Sequence, residues 1–95
     1  MKFSDLKFVE RDDTMYQSLY EVNGKKISVI AGEFAYSTPK VYLYDVKEYL
    51  NFEYAILNED GNFITRDFVD GIMDDVVGYA TREEIESIIE KLENT

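Results

Sequence analysis

The chain has no cysteine and no histidine. Without cysteine there is neither a disulfide framework nor a thiolate metal site, which fits a reducing compartment. Without histidine the commonest general base is missing, and the best thiol nucleophile is missing with cysteine. Glycine is scarce and scattered singly at Gly24, Gly32, Gly61, Gly71 and Gly78, so no glycine-rich loop can cradle a phosphate. Apolar runs are short: Val41–Tyr44 spans four residues, against about 18 needed to cross a membrane. No apolar stretch of the length of a secretory signal follows Met1–Asp5. These absences predict a non-enzymatic chain in the cytoplasm, with no cofactor and no membrane partner.

Positive charge is also scarce. Ten Lys and Arg face 20 Asp and Glu over 95 residues, for a net charge of −10. The imbalance is lopsided. Residues 1–44 pair Asp5, Glu10, Asp12, Asp13, Glu21 and Glu33 with Lys2, Lys7, Arg11, Lys25, Lys26 and Lys40, and are neutral. The second half carries the whole surplus, with only Lys47, Arg66, Arg82 and Lys91 against its acids. Such a surface repels phosphate backbones and anionic membranes and attracts basic partners.

The length suits one domain over residues 1–95. The patterning predicts an α+β fold: an antiparallel sheet of about five or six strands, built from hairpins and covered by one C-terminal helix. Leu6–Val9 is expected as a first strand, ended by the turn Arg11-Asp12-Asp13-Thr14. Asn23-Gly24 between two β-rich runs is a two-residue hairpin signal. It sets Tyr20 opposite Ile27, Ser18 opposite Val29 and Tyr16 opposite Ala31 on a core face, and Glu21 opposite Lys26 on the other. Val41–Tyr44 has strand composition and Asp45 with Glu48 can cap a short helical turn, although Pro39 could instead open a helix. Phe52–Leu57 and Phe63–Phe68 are expected to form a second hairpin across Asn58–Asn62, with Gly61 at a positive φ. Thr81 and Glu84 form a capping box. Ile85, Ile88, Ile89 and Leu92 follow at helical spacing as a core stripe.

Two motifs invite a metal. The loop around Gly61 resembles the centre of a calcium loop, but its first position would be Ile56 and its twelfth Asp67, which breaks the oxygen cage. Asp70, Asp74 and Asp75 cluster in the stretch Val69–Tyr79 and would suit Mg²⁺ or Mn²⁺, yet no fourth ligand is marked. A hairpin turn and solvated loop aspartates are the readings preferred, with no metal residues assigned.

What is present in excess is acid and tyrosine. Glu83, Glu86, Glu90 and Glu93 recur at three- and four-residue spacing along the helix. Glu86 and Glu90 are a like-charge i,i+4 pair, and Glu93 sits at the negative end of the dipole. Each costs a few tenths of a kcal/mol rather than stabilising, so either partner binding or solubility set this ridge. Eight tyrosines accompany six phenylalanines, more than a core this small can bury. Tyr42, Tyr44 and Tyr49 are the candidates for exposed interface contacts. With Asp70, Asp74 and Asp75 they make a surface suited to a basic protein, not to nucleic acid directly. Carboxylates on adjacent helical turns lie about 5–6 Å apart, a scale like that of phosphates along a strand.

In size, charge, tyrosine content and lack of catalytic residues, the chain resembles the small acidic DNA-mimic inhibitors of bacteriophages, anti-CRISPR proteins among them. The resemblance is one of composition; no motif is shared residue by residue and no functional positions are carried over. It implies a phage or prophage origin and a host nuclease or nucleic-acid complex as target. Two other classes stay open: a structural or assembly protein that homodimerises through a tyrosine-rich sheet surface, and a metal-dependent enzyme using Asp70–Asp75.

Overall fold

Asn23 (φ 50°) and Gly24 (φ 76°) both lie in the left-handed region, as a two-residue type I′ turn demands. In the computed structural model, which describes residues 1–95, this turn joins β2 (Met15–Val22) to β3 (Lys25–Gly32). The register is the one the turn predicts, with Tyr20 opposite Ile27, Ser18 opposite Val29 and Tyr16 opposite Ala31. Ile27, Val29 and Ala31 are fully buried and Tyr16 and Ser18 nearly so. On the opposite face Glu21 and Lys26 meet at 3.7 Å, an exposed pair contributing at most about 1 kcal/mol.

The first strand starts later than expected. Phe3–Asp5 forms a 3₁₀ turn, which puts Phe3 and Leu6 into the core. Phe3 packs against Phe8 and Phe52 with ring centroids 5.8 and 4.8 Å away. Only Val9–Arg11 then remains to form β1, antiparallel to β2. The turn between them holds Asp12 and Asp13 at φ 55°, a conformation short polar side chains tolerate.

β4 (Phe52–Leu57) lies beside β3, pairing Ile27 with Ile56 and Val29 with Tyr54. Its other neighbour is not the expected strand Phe63–Phe68. A single bridge joins Leu57 to Phe63, after which Thr65–Asp67 turns as a 3₁₀ helix. The cause is the buried Thr65 hydroxyl, which accepts the Ile56 N–H at 2.9 Å and donates to the Asp75 carbonyl at 2.6 Å. A side chain thus takes over the ladder at that point and brings in the segment that follows. β5 (Val77–Ala80), from a stretch expected to be a connection, pairs with Phe52 and Tyr54 of β4. The sheet is therefore a five-stranded antiparallel meander in order β1-β2-β3-β4-β5. Gly78 is required in β5 because a Cβ there would meet the Tyr36 Cβ at 2.8 Å.

Val41–Tyr44 is not a strand, and no helix starts at Pro39. The backbone groups a strand would use are bound by one side chain: the Tyr49 hydroxyl donates to the Val41 carbonyl at 2.6 Å and accepts the Leu43 N–H at 3.0 Å. The expected short turn is present as a 3₁₀ helix, Val46–Glu48, whose N-cap Asp45 accepts the Lys47 N–H at 2.9 Å.

α1 (Arg82–Glu93) closes the fold. The Thr81 hydroxyl accepts the Glu84 N–H at 3.1 Å, satisfying one of the first-turn donors. Ile85, Ile88, Ile89 and Leu92 are all buried against the sheet, each contributing about 1.5–3 kcal/mol by burial. At the other end the Asn23 side-chain amide donates to the carbonyls of Leu92, Glu93 and Thr95 at 2.9, 3.1 and 3.2 Å. The residue that makes the hairpin turn also caps the helix C-terminus. The fold is α+β, one helix on one face of one antiparallel sheet, and no helix is long and apolar enough to cross a membrane.

Candidate acidic interface

The acidic ridge expected along α1 is divided by the fold. Glu86 is partly buried and its Oε1 accepts the Phe3 N–H at 2.6 Å. Glu93 meets the N-terminal ammonium at 3.6 Å and accepts the Tyr20 hydroxyl at 3.4 Å. These two glutamates link the N-terminal segment and β2 to the helix. Burial and then Glu93 push the Tyr20 phenol above its ordinary value of 10. Glu83 and Glu90 remain exposed and in no ion pair.

The aspartates likewise separate. Asp75 forms an ion pair with Arg66 at 3.2 Å, while its carbonyl receives the Thr65 hydroxyl. Asp74 is exposed. No group of three or more carboxylates in the chain is arranged to hold a metal ion. In the Asn58–Asn62 turn, the Asn58 Oδ1 accepts the N–H groups of Asp60 and Asn62, each at 3.0 Å. That oxygen is committed to closing the turn.

Tyr49 is corrected outright. It is fully buried and its hydroxyl organises the loop backbone, so it offers nothing to a partner. Burial pushes its phenol up, partly opposed by the hydrogen bond from the Leu43 N–H. Tyr42 is partly exposed and stacks on Tyr16, with centroids 5.4 Å apart and rings 8° from parallel. Hydrogen bonding with Tyr16, then burial and Glu10, push its phenol well above the ordinary value. Tyr44 is 96% exposed and meets Tyr42 edge-on at 6.5 Å.

One acidic site does assemble, between α1 and the loop after the Thr65 turn. Phe68, Val69, Tyr54 and Ile88 line an open groove of 470 Å³, with Asp70, Glu83 and Glu84 among its polar walls. Asp70 and Glu83 were singled out by the sequence; Glu84, Tyr54 and Phe68 were not. Glu84 reads in the sequence only as the capping-box partner of Thr81, and that box is half formed: the Glu84 N–H reaches the Thr81 hydroxyl, but its carboxylate accepts that hydroxyl at 3.2 Å and not the Thr81 N–H. Lys91 stands in the same wall, its ammonium donating to the Phe68 carbonyl at 2.7 Å. Burial, and secondly the Glu84 carboxylate, raise the Tyr54 phenol.

No protein-family model, curated protein or solved structure matches the chain. The groove must therefore be read from its own chemistry. A lining of apolar side chains and three carboxylates fits the two-part side chains of Lys and Arg, whose methylene stems pack on apolar surface while the charged head meets the acids. Each exposed pair so formed contributes about 0.2–1 kcal/mol net. Affinity would therefore come from several such contacts and from steering by the net charge of −10.

Proposed function

We propose that the chain is a non-enzymatic binding module whose acidic surface engages a basic, nucleic-acid-binding protein, acting as a DNA mimic in the manner of phage anti-CRISPR inhibitors. The observation that carries this reading is the groove that Asp70, Glu83 and Glu84 line together with Phe68 and Ile88, three carboxylates against the single cation Lys91. It is suited to an Arg or Lys of a partner rather than to a phosphate. The inhibitory step is competitive: the carboxylates fill a positively charged cleft, its counterions leave, and nucleic acid is excluded. The target class is a host nuclease or nucleic-acid complex.

The test is a competition. A partner captured from bacterial lysate at low salt is bound to a fluorescent duplex, and the chain is titrated in. The chain should displace the duplex, with an apparent affinity falling at least about tenfold between about 50 and 200 mM salt. The variant Asp70→Lys/Glu83→Lys/Glu84→Lys should not displace it. Displacement that is indifferent to salt, or that survives the triple reversal, would contradict the reading.

One observation favours a second reading, assembly of like copies. The sheet face opposite α1 is open along β1 and β2, with Leu19 58% and Val9 62% exposed, and Glu21 and Lys26 pair there. A second copy could meet that face without the repulsion it would find elsewhere. Sedimentation showing a dimer that Leu19→Lys dissociates would favour it; a monomer at millimolar concentration would remove it.

A further inference from the structure

We propose that a second pocket, on the other flank of α1, binds a small monoanion with an aryl or short alkyl body. This pocket of 380 Å³ lies between the Phe3–Asp5 turn, the Val46–Glu48 turn and the first turns of α1. Its apolar lining is Phe3, Leu6, Phe8 and Val46. Its polar lining brings together Lys2, Lys47 and Arg82, three of the ten cations of a chain with 20 acids. None of the three belongs to an ion pair.

Arg82 is the best placed of them. Its guanidinium lies over the rings of Phe3 and Phe52, 5.4 and 5.2 Å from their centroids. One of its N–H groups donates to the Lys47 carbonyl at 2.9 Å. The rings and that bond fix the plane of the guanidinium, while its other donors remain available for a carboxylate.

Charge narrows the ligand further. Glu83 and Glu86 also line the pocket, and Glu86 already holds the Phe3 N–H. Three cations against two carboxylates leave the lining with a single net positive charge, on a molecule of net −10. One negative charge is matched there; a second would face Glu83 and the field of the whole chain. The volume is at the low end of the range for small-molecule sites, about 300–1,000 Å³, which suits one ring or a short chain. The ligand class is an aryl or short-alkyl carboxylate, its body on Phe3 and Phe8 and its carboxylate towards Arg82 and Lys47.

The experiment is a titration of the ¹⁵N-labelled full chain, followed by amide shifts, with phenylacetate, its neutral isostere phenylacetamide and the dianion phenyl phosphate. Phenylacetate should give saturable shifts at Phe3, Ser4, Phe8 and Lys47, at least about fivefold tighter than the amide, because the charge-assisted hydrogen bonds are lost with the charge. Lys47→Gln, an exposed substitution that leaves the core intact, and Arg82→Lys should each weaken phenylacetate by roughly three- to tenfold. Neither should move the amide's affinity, and Lys40→Gln, at an exposed cation that lines neither site, should change nothing. The proposal is overturned if the amide binds as well as the acid, or if phenyl phosphate binds more tightly. It is also overturned if the shifts map elsewhere, or if none saturates by about 20 mM, well above the millimolar range of so small a ligand. Glu83 lines both sites, but Lys47 and Arg82 line only this pocket, so the outcome can be read apart from binding of a basic partner at the acidic groove.

Discussion

Asn23 holds two elements with one side chain. Its backbone makes the β2–β3 turn and its amide reaches three carbonyls at the end of α1. Asn23→Gly keeps the left-handed turn and removes only the amide, so it should cost about 1–2 kcal/mol in urea unfolding. Asn23→Asp should cost more, because a carboxylate would then face carbonyls at the negative end of the helix. Thr65 is the other such residue. Thr65→Val preserves its shape but strands the Ile56 N–H and the Asp75 carbonyl, and should cost about 1–3 kcal/mol. An unchanged urea midpoint for either Asn23→Gly or Thr65→Val would mean these bonds do not hold the elements as described. At this scale the hairpin register was legible because Asn-Gly admits few alternatives. The fates of Tyr49, Glu86 and Glu93 were not: their partners, Val41, Phe3 and the N-terminus with Tyr20, lie 8 to 92 positions away in the chain. Spacing along one helix carries no information about such contacts.

At the scale of elements, α1 was readable because its cap and its stripe agree. Thr81→Ala should therefore lower stability by about 1 kcal/mol, with the loss seen first in amide exchange of Arg82–Ile85. Glu90→Lys should do the opposite and raise stability by a few tenths of a kcal/mol, since it removes the repulsion with Glu86 and places a cation near the helix C-terminus. A loss of stability in that variant would show that Glu90 is selected for folding after all. β5 was missed for a definable reason. Val76-Val77-Gly78-Tyr79-Ala80 has strand composition, but Gly78 interrupts it, and its need for glycine comes from Tyr36 across the fold. The expected strand Phe63–Phe68 fails because Thr65 satisfies Ile56 by a side chain, a substitution that composition does not reveal.

For the whole molecule, four tyrosines bear on alkaline stability. Tyr20, Tyr42, Tyr49 and Tyr54 have phenols raised above the ordinary value of 10, by burial or by hydroxyl and carboxylate neighbours. The folded state holds these protons more tightly than the unfolded chain. Their contribution is fully present below pH 10 and is lost as pH climbs through the raised values. Thermal midpoints should therefore be unaffected by these groups at neutral pH and fall above about pH 10. Phenolate absorbance from these four should rise together with unfolding. The lopsided charge of the sequence was legible at this scale, but not its division: the fold commits Glu86, Glu93 and Asp75 internally and gathers Asp70, Glu83 and Glu84 among apolar side chains.

That gathering is the central claim, and it is tested most directly by mapping a basic probe on the labelled chain. The full protein, titrated with a short Arg- and Lys-rich peptide at about 50 mM salt, where surface charges are little screened, should show its largest amide and side-chain shifts at Asp70, Glu83, Glu84 and Ser87. Those shifts should weaken in step as salt is raised and vanish in Asp70→Lys/Glu83→Lys/Glu84→Lys. Shifts spread evenly over all exposed carboxylates, with Glu48, Glu59 and Asp74 moving as much as the groove, would contradict a built interface and leave only a solubilising surface.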